Sequence, residues 1–171
     1  MDHALHSVSP KTLSPLLGTH RAPQLIDVCL PEDIAANPRR IPTAQHISHR
    51  EVASHAGDIE RTRPDVVDCQ KGLKLSHGAA AILRSDGFDA RALVGGLEDW
   101  CAQGHLTLSL DTCPPVGTRW VLPATHDRRA ALRAWITRRW FDARAALLWV
   151  PPAHVADVAA RFDAQAWPNG D

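Results

Sequence analysis

The chain has 171 residues, 44% of them hydrophobic, and 19 Lys plus Arg balance 19 Asp plus Glu to a formal net charge of zero. That length holds one domain of ordinary size with a small appendage, and excludes two full domains. The balanced charge gives no reason to expect a nucleic-acid or membrane partner.

In chain order, short apolar runs bounded by turn residues alternate with segments of helical period, the pattern of a mostly parallel sheet covered by helices. Residues 5–8 read as a first strand, and Ser9-Pro10 opens a helix to residue 17, with serine as cap and proline at its first position. QLIDV (24–28) reads as a buried strand, Pro31 starts a brief helical turn, residues 44–47 form a short strand, and Ser48 caps a helix carrying Val52. DVVD (65–68) is the next strand. After a loop at Cys69, Leu75, Ala79, Ile82 and Leu83 make one stripe of a helix that ends at Gly87. Residues 90–94 are a strand, and Gly95-Gly96 turns into a helix bearing Trp100 that Gly104 stops.

Residues 107–118 change to polar composition with Pro114, Pro115 and Gly117, which marks a linker between a domain at 1–106 and an appendage at 119–171. In the appendage, Leu132, Trp135, Ile136 and Trp140 line a helix, ALLWV (146–150) is a strand, and Pro151-Pro152 opens a last helix with Val155, Val158, Ala159 and Phe162 on one face.

The first residues, MDHALHSVSPKTL, lack the basic start and apolar core of a secretory signal, and no run of about 18 apolar residues occurs, so a soluble cytoplasmic protein is expected. The four cysteines (Cys29, Cys69, Cys101, Cys113) have no CxxC spacing, which favours free thiols in a reducing compartment. Of ten histidines only His46 and His49 are close together, with no cysteine or carboxylate cluster beside them; no metal site and no cofactor are expected.

Cys69 is the candidate for chemistry. A strand ending in cysteine, then a curled loop, then a helix start places unpaired amides and the positive end of the helix dipole around one sulfur, which favours a thiolate. Lys71 and Lys74 push the same way, and an accessible thiolate is a nucleophile. Taken alone, the loop leaves equally open that Cys69 is a small apolar residue closing a buried strand.

More of the chain bears on that choice. LIDV (25–28), RRIPTA (39–44), CQKGLK (69–74) and LVGGLEDW (93–100) stand in the order of the motifs LIDVR, GHIPGA, C-x-x-G-x-R and L-x-GG-x-x-x-W. On these, residues 5–104 resemble the rhodanese-like sulfurtransferase family. The resemblance implies a five-stranded parallel sheet with helices on both faces and the cysteine loop at the carboxyl ends of the strands. It implies that Cys69 takes sulfane sulfur from a donor such as thiosulfate, carries it as a persulfide, and passes it to cyanide, a thiol or an acceptor protein. The amides of Gln70, Lys71, Gly72, Leu73, Lys74 and Leu75 would hold the outer sulfur, with Lys74 near the donor's oxyanion. Asp27, Cys29, Gly95 and Gly96 would support the loop.

The chain departs from the family pattern at Cys29, Arg40, Thr43 and Lys74, which stand for arginine, histidine, glycine and arginine, and at Leu75, where a small residue is common. Lysine offers an oxyanion a point charge where arginine offers a planar fork. Cys29, on a strand expected beside that of Cys69, could resolve a persulfide, form a disulfide, or simply pack.

The tail resembles the chromate-resistance regulator family: WITRRWFD (135–142), followed by Ala145, Leu148, Val150 and Pro151, is similar to that family's W-L-I-R-R-F-I-D segment and the strand after it. No chemistry is assigned to it. Three functions compete for the main domain: sulfur transfer through Cys69, a non-catalytic module that binds an oxyanion or a partner protein, and a small cysteine phosphatase. Phosphatase loops resemble this one but are a residue longer and end in arginine.

Overall fold

The computed structural model describes residues 5–126 and 128–167. The chain divides into two compact units, Met1–Thr112 and Cys113–Asp171.

The first unit is built on five parallel strands in the order β1-β6-β5-β2-β4: β1 (Ser7–Val8), β2 (Gln24–Asp27), β4 (Gln45–His46), β5 (Asp65–Asp68) and β6 (Ala90–Leu93). β2 and β5 lie at the centre and are buried on both faces, because successive side chains point to opposite sides and neither side meets water. On one face Ile26, Val28, Val67 and Cys69 pack with Ala79, Ala80 and Leu83 of α3 (Lys74–Ser85). The buried stripe of α3 is Ser76, Ala79, Ala80 and Leu83; Ile82, expected in it, is 39% exposed. Small residues there let the helix lie close on the sheet.

α1 (Pro10–Leu13) begins as expected: Ser9 Oγ accepts from the Thr12 amide at 3.2 Å and Pro10 occupies the first turn. It is shorter than read, passing at Ser14 into a single 3-10 turn. α2 (Pro31–Ala36) and α4 (Gly96–Ala102) complete the unit's helices among the described residues. Trp100 of α4 is fully buried, with its indole N–H donating to the Leu106 carbonyl at 2.9 Å.

Two expectations are corrected. Residues 48–55 form successive turns and no helix, since Val52 is the one residue of the stretch that is buried and a lone apolar anchor cannot hold a helical face. Inside the stretch read as a linker, β7 (Leu108–Ser109) pairs antiparallel with β3 (Arg39–Arg40), Leu108 opposite Arg40.

Thr43 has φ 67°, in the left-handed region that a β-branched residue enters only under strain. Thr43 stands where the motif GHIPGA, which residues 39–44 resemble, has glycine. Thr43→Gly should therefore stabilise the protein by about 1 kcal/mol, the left-handed penalty less the extra chain entropy of glycine. Urea denaturation measures it; a loss of stability would show that the Thr43 side chain makes a compensating contact.

The second unit is a three-stranded parallel sheet with β8 (Arg119–Pro123) between β9 (Ala146–Val150) and β10 (Gln165–Ala166). This is more than the helix-strand-helix expected. Trp120, Leu122 and Ala145 form one small core, and Val121 packs with Val155 and Ala159 of α6 (Val155–Arg161) in another. α5 (Arg128–Ile136) turns Ala130 and Ala134 inward, with Ala130 buried, and Leu132 and Trp135 are about half exposed where a buried stripe was expected. No helix among the described residues is long and apolar enough to cross a membrane.

Candidate active site

β5 delivers Cys69 to the carboxyl edge of the sheet, between β2 and β6. The loop that follows is held from behind by α4. Its second and third amides, on Leu97 and Glu98, donate to the carbonyls of Cys69 and Gln70 at 3.0 and 2.9 Å. A helix N-terminus has amides to spare, and here two of them satisfy the loop's carbonyl oxygens.

The approach is close enough to require glycine. Gly95 caps α4 in the left-handed conformation and Gly96 follows at φ 59°. A Cβ on Gly96 would overlap the carbonyl oxygen of Cys69 and the amide of Gly72. Gly72 is also left-handed, at φ 61°, and a Cβ there would come within 2.5 Å of the Gly96 amide nitrogen and the Leu93 carbonyl.

Cys69 lies at the floor of a cavity of about 210 Å³ formed by Leu30, Asp33, Gln70, Lys71, Leu73, Lys74 and Leu75 as well. The cysteine is 4% exposed and Lys71 and Lys74 are exposed. Cys69 Sγ is 3.4 Å from Ser76 Oγ, which itself donates to the Leu73 carbonyl at 3.1 Å. Gln70 Nε2 donates to Glu98 at 3.4 Å, a second tie between loop and α4.

Asp27 closes β2. Its Oδ1 accepts from the Cys29 amide at 2.8 Å and its Oδ2 is 3.4 Å from Nδ1 of half-exposed His46. Cys29 is buried in the same apolar cluster as Cys69, and both thiols are free. Burial pushes the Cys29 thiol up, and the Asp27 carboxylate adds to it, so Cys29 stays protonated and packs.

Sequence reasoning did not single out Leu30, Asp33, Ser76 or Asp68, and it weighed His46 only as a metal ligand beside His49. Ser76 had a signal, lying in the first turn of the helix after the loop. Leu30 and Asp33 follow the carboxyl end of β2, the strand beside β5, so strand order was the only guide to them.

Two groups at this sheet edge, Asp68 and His46, and Asp65 at the opposite end of β5 titrate in one sense. Burial, helped by Asp89, pushes the Asp65 carboxyl up to about 7; Asp68 is also raised, by burial and then by Asp27. His46 is raised chiefly by its hydrogen bond to Asp27. Each binds its proton more tightly folded than unfolded, so each favours the fold at low pH. For the two aspartates the advantage shrinks from about pH 4 upward, and for His46 from about pH 6.5. The melting temperature should fall by several degrees between pH 5 and pH 8, and Asp65→Asn should flatten that slope; calorimetry showing a rise over this range would contradict the assignment.

No protein-family model and no curated protein matches the chain. Solved structures do. A rhodanese-related protein from Thermoplasma volcanium superposes with a TM-score of 0.53 at 21% identity, over 60% of this chain and 97% of that one. A rhodanese-like domain protein from Staphylococcus aureus gives 0.50 at 23% identity, over 56% and 91%. A full-length protein from Lactobacillus plantarum gives 0.55 at 23% identity, over 61% and 88%. The fold is rhodanese-like. Within this rhodanese-like sheet, Cys69 and its loop sit at the carboxyl ends of the strands, where open parallel sheets bind their ligands.

Proposed function

We propose that the protein is a sulfurtransferase that carries sulfane sulfur on Cys69. The observation that supports this most is the loop's backbone arrangement. α4 takes the carbonyls of Cys69 and Gln70, and the residues that follow surround a cavity with the cysteine at its floor. The amides of residues 70–75 then serve as donors to an anionic sulfur.

The Cys69 thiolate attacks the outer sulfur of a donor such as thiosulfate. A new S–S bond forms, the donor's S–S bond breaks, and sulfite leaves with the bonding pair. The outer sulfur of the resulting persulfide is held by the loop amides, with Ser76 Oγ in reach of the inner sulfur. A thiophilic acceptor, cyanide, a small thiol or a protein thiol, attacks the outer sulfur and Cys69 leaves as thiolate. No cofactor enters this cycle.

Intact-mass measurement after incubation with a panel of sulfur donors, thiosulfate and 3-mercaptopyruvate among them, tests the proposal. Wild type should gain one sulfur atom and Cys69→Ser none. If no donor loads the wild type, the loop is a binding site for an anion or a partner. That second reading is favoured by Lys74 and Cys29 at positions where the resembling family carries arginine.

A further inference from the structure

β9 forms one edge of the second unit's sheet. It bonds to the β8 side through alternate residues: the Ala146 amide donates to the Thr118 carbonyl at 3.2 Å, and the Val150 carbonyl accepts from the Ala124 amide at 2.7 Å. Ala146, Leu148 and Val150 therefore turn their backbone groups toward β8, and Leu147 and Trp149 turn theirs outward. No described residue bonds those outward amides and carbonyls. Natural sheet edges are usually blocked by charge, proline or a bulge, and ALLWV has none of these, while Trp149 is 45% exposed. Both ends of this open window are closed. Ala145 spends its amide on the Asp142 carbonyl at 3.1 Å and its carbonyl on Arg138 Nε at 3.3 Å, and Pro151 has no amide to offer.

From this edge we infer that a second copy of the chain pairs antiparallel along β9, about a two-fold axis at Leu148, joining two three-stranded sheets into one of six strands. In that register Leu147 lies opposite Trp149 of the second copy, and Trp149 opposite its Leu147. Both pairs are made of outward-turned residues, so each exchanges two hydrogen bonds, and every outward group of both strands is satisfied. The side chains agree with the register. Leu147 and Trp149 share one face and Leu148 and Val150 the other, so Leu147 meets the half-exposed indole and Leu148 meets its own copy. Charge selects the direction: a parallel pairing would set exposed Arg144 beside its own copy, whereas the antiparallel one keeps the two at opposite ends of the joint. Five residues a side bury roughly half of the ~800 Å² per partner of a standard interface, so the dimer is weak, dissociating on the order of 10–100 μM.

Sedimentation equilibrium of the full chain from about 5 to about 500 μM tests this. The average mass should rise from 18.7 kDa toward twice that value. Trp149→Pro removes one outward amide per strand, and with it two of the joint's hydrogen bonds, but spares the ladder to β8; it should weaken association by about tenfold or more. Trp149→Lys changes only an exposed side chain and sets a charge on the edge, so it should weaken association as well. Thermal melts verify that each variant is folded. The register is read by cross-linking: Leu148→Cys stands at the two-fold axis and should give a disulfide-linked dimer on mild oxidation well beyond the wild-type level, whereas Val150→Cys lies across from Ala146 and should not. A monomer at every concentration, association unchanged in the folded Trp149 variants, or a Leu148→Cys yield no greater than that of Val150→Cys overturns the inference.

Discussion

Cys69→Ser should abolish sulfur transfer, lowering turnover by at least about a thousandfold, to the level of the uncatalysed reaction. Serine keeps the side chain's size and its contact with Ser76, so the fold should survive. Its hydroxyl is not appreciably ionised near neutral pH, and an oxygen nucleophile does not form a stable carrier for a second sulfur. The measurement is steady-state transfer to cyanide, beside far-ultraviolet circular dichroism to confirm the fold. Retention of even a tenth of wild-type turnover in folded Cys69→Ser would move the chemistry to another residue. Cys29→Ser provides the contrast. Cys29 is packed in the core with its thiol held protonated, so this variant should lose stability and keep its transfer rate when assayed below its melting temperature.

Gly96→Ala should have the largest effect on the fold and damage the site as well. The alanine would sit in the left-handed region, costing about 1–2 kcal/mol. Its methyl would also press into the Cys69 carbonyl and the Gly72 amide, both backbone groups that no side-chain rotation can move aside. Overpacking of this kind costs about 1–3 kcal/mol more. Together they predict a loss of about 3 kcal/mol, or roughly 10–20 °C in melting temperature for a unit of this size. In the molecules that stay folded the cysteine loop must shift from α4, and misplacement of about 1 Å costs on the order of a hundredfold in rate. Gly78→Ala makes the control. Gly78 lies in α3, and beyond its chain neighbours and the helix's own backbone nothing lies within 4 Å of an added Cβ, so alanine should stabilise it by about 0.5–1 kcal/mol. If Gly96→Ala melts like wild type, the close packing of α4 against the loop is not a feature of the protein in solution.

The elements legible in the chain were those whose signals are local. β2 and β5 each centre on an apolar pair, Leu25-Ile26 and Val66-Val67, and α3 announces itself by its period and by Gly87 after its end. Ser9-Pro10 marked the start of α1. Strands of two residues carry no such pattern: β3 and β7 exist because Arg39 and Arg40 find Ser109 and Leu108 far along the chain. RWVLP was missed as β8 because arginine and proline flank only three apolar residues, and its identity as the central strand of its sheet comes from neighbours on both sides. In α5 the large apolar residues suggested the buried face, but the helix lies close enough to β8 that Ala130 goes inside and Leu132 and Trp135 do not.

By itself the sequence determined which atom stands at the centre of the candidate site. The run from Cys69 to Leu75 is contiguous, so its turn, its glycine and its helix start are set by residues next to one another. Tertiary structure decided the surroundings. α4 arrives at the back of the loop, Ser76 reaches the sulfur, and Leu30 and Asp33 come from beside β2 to close the cavity. The reason is range: backbone preferences act over a few residues, whereas the size and charge of a cavity depend on which strands the sheet places side by side.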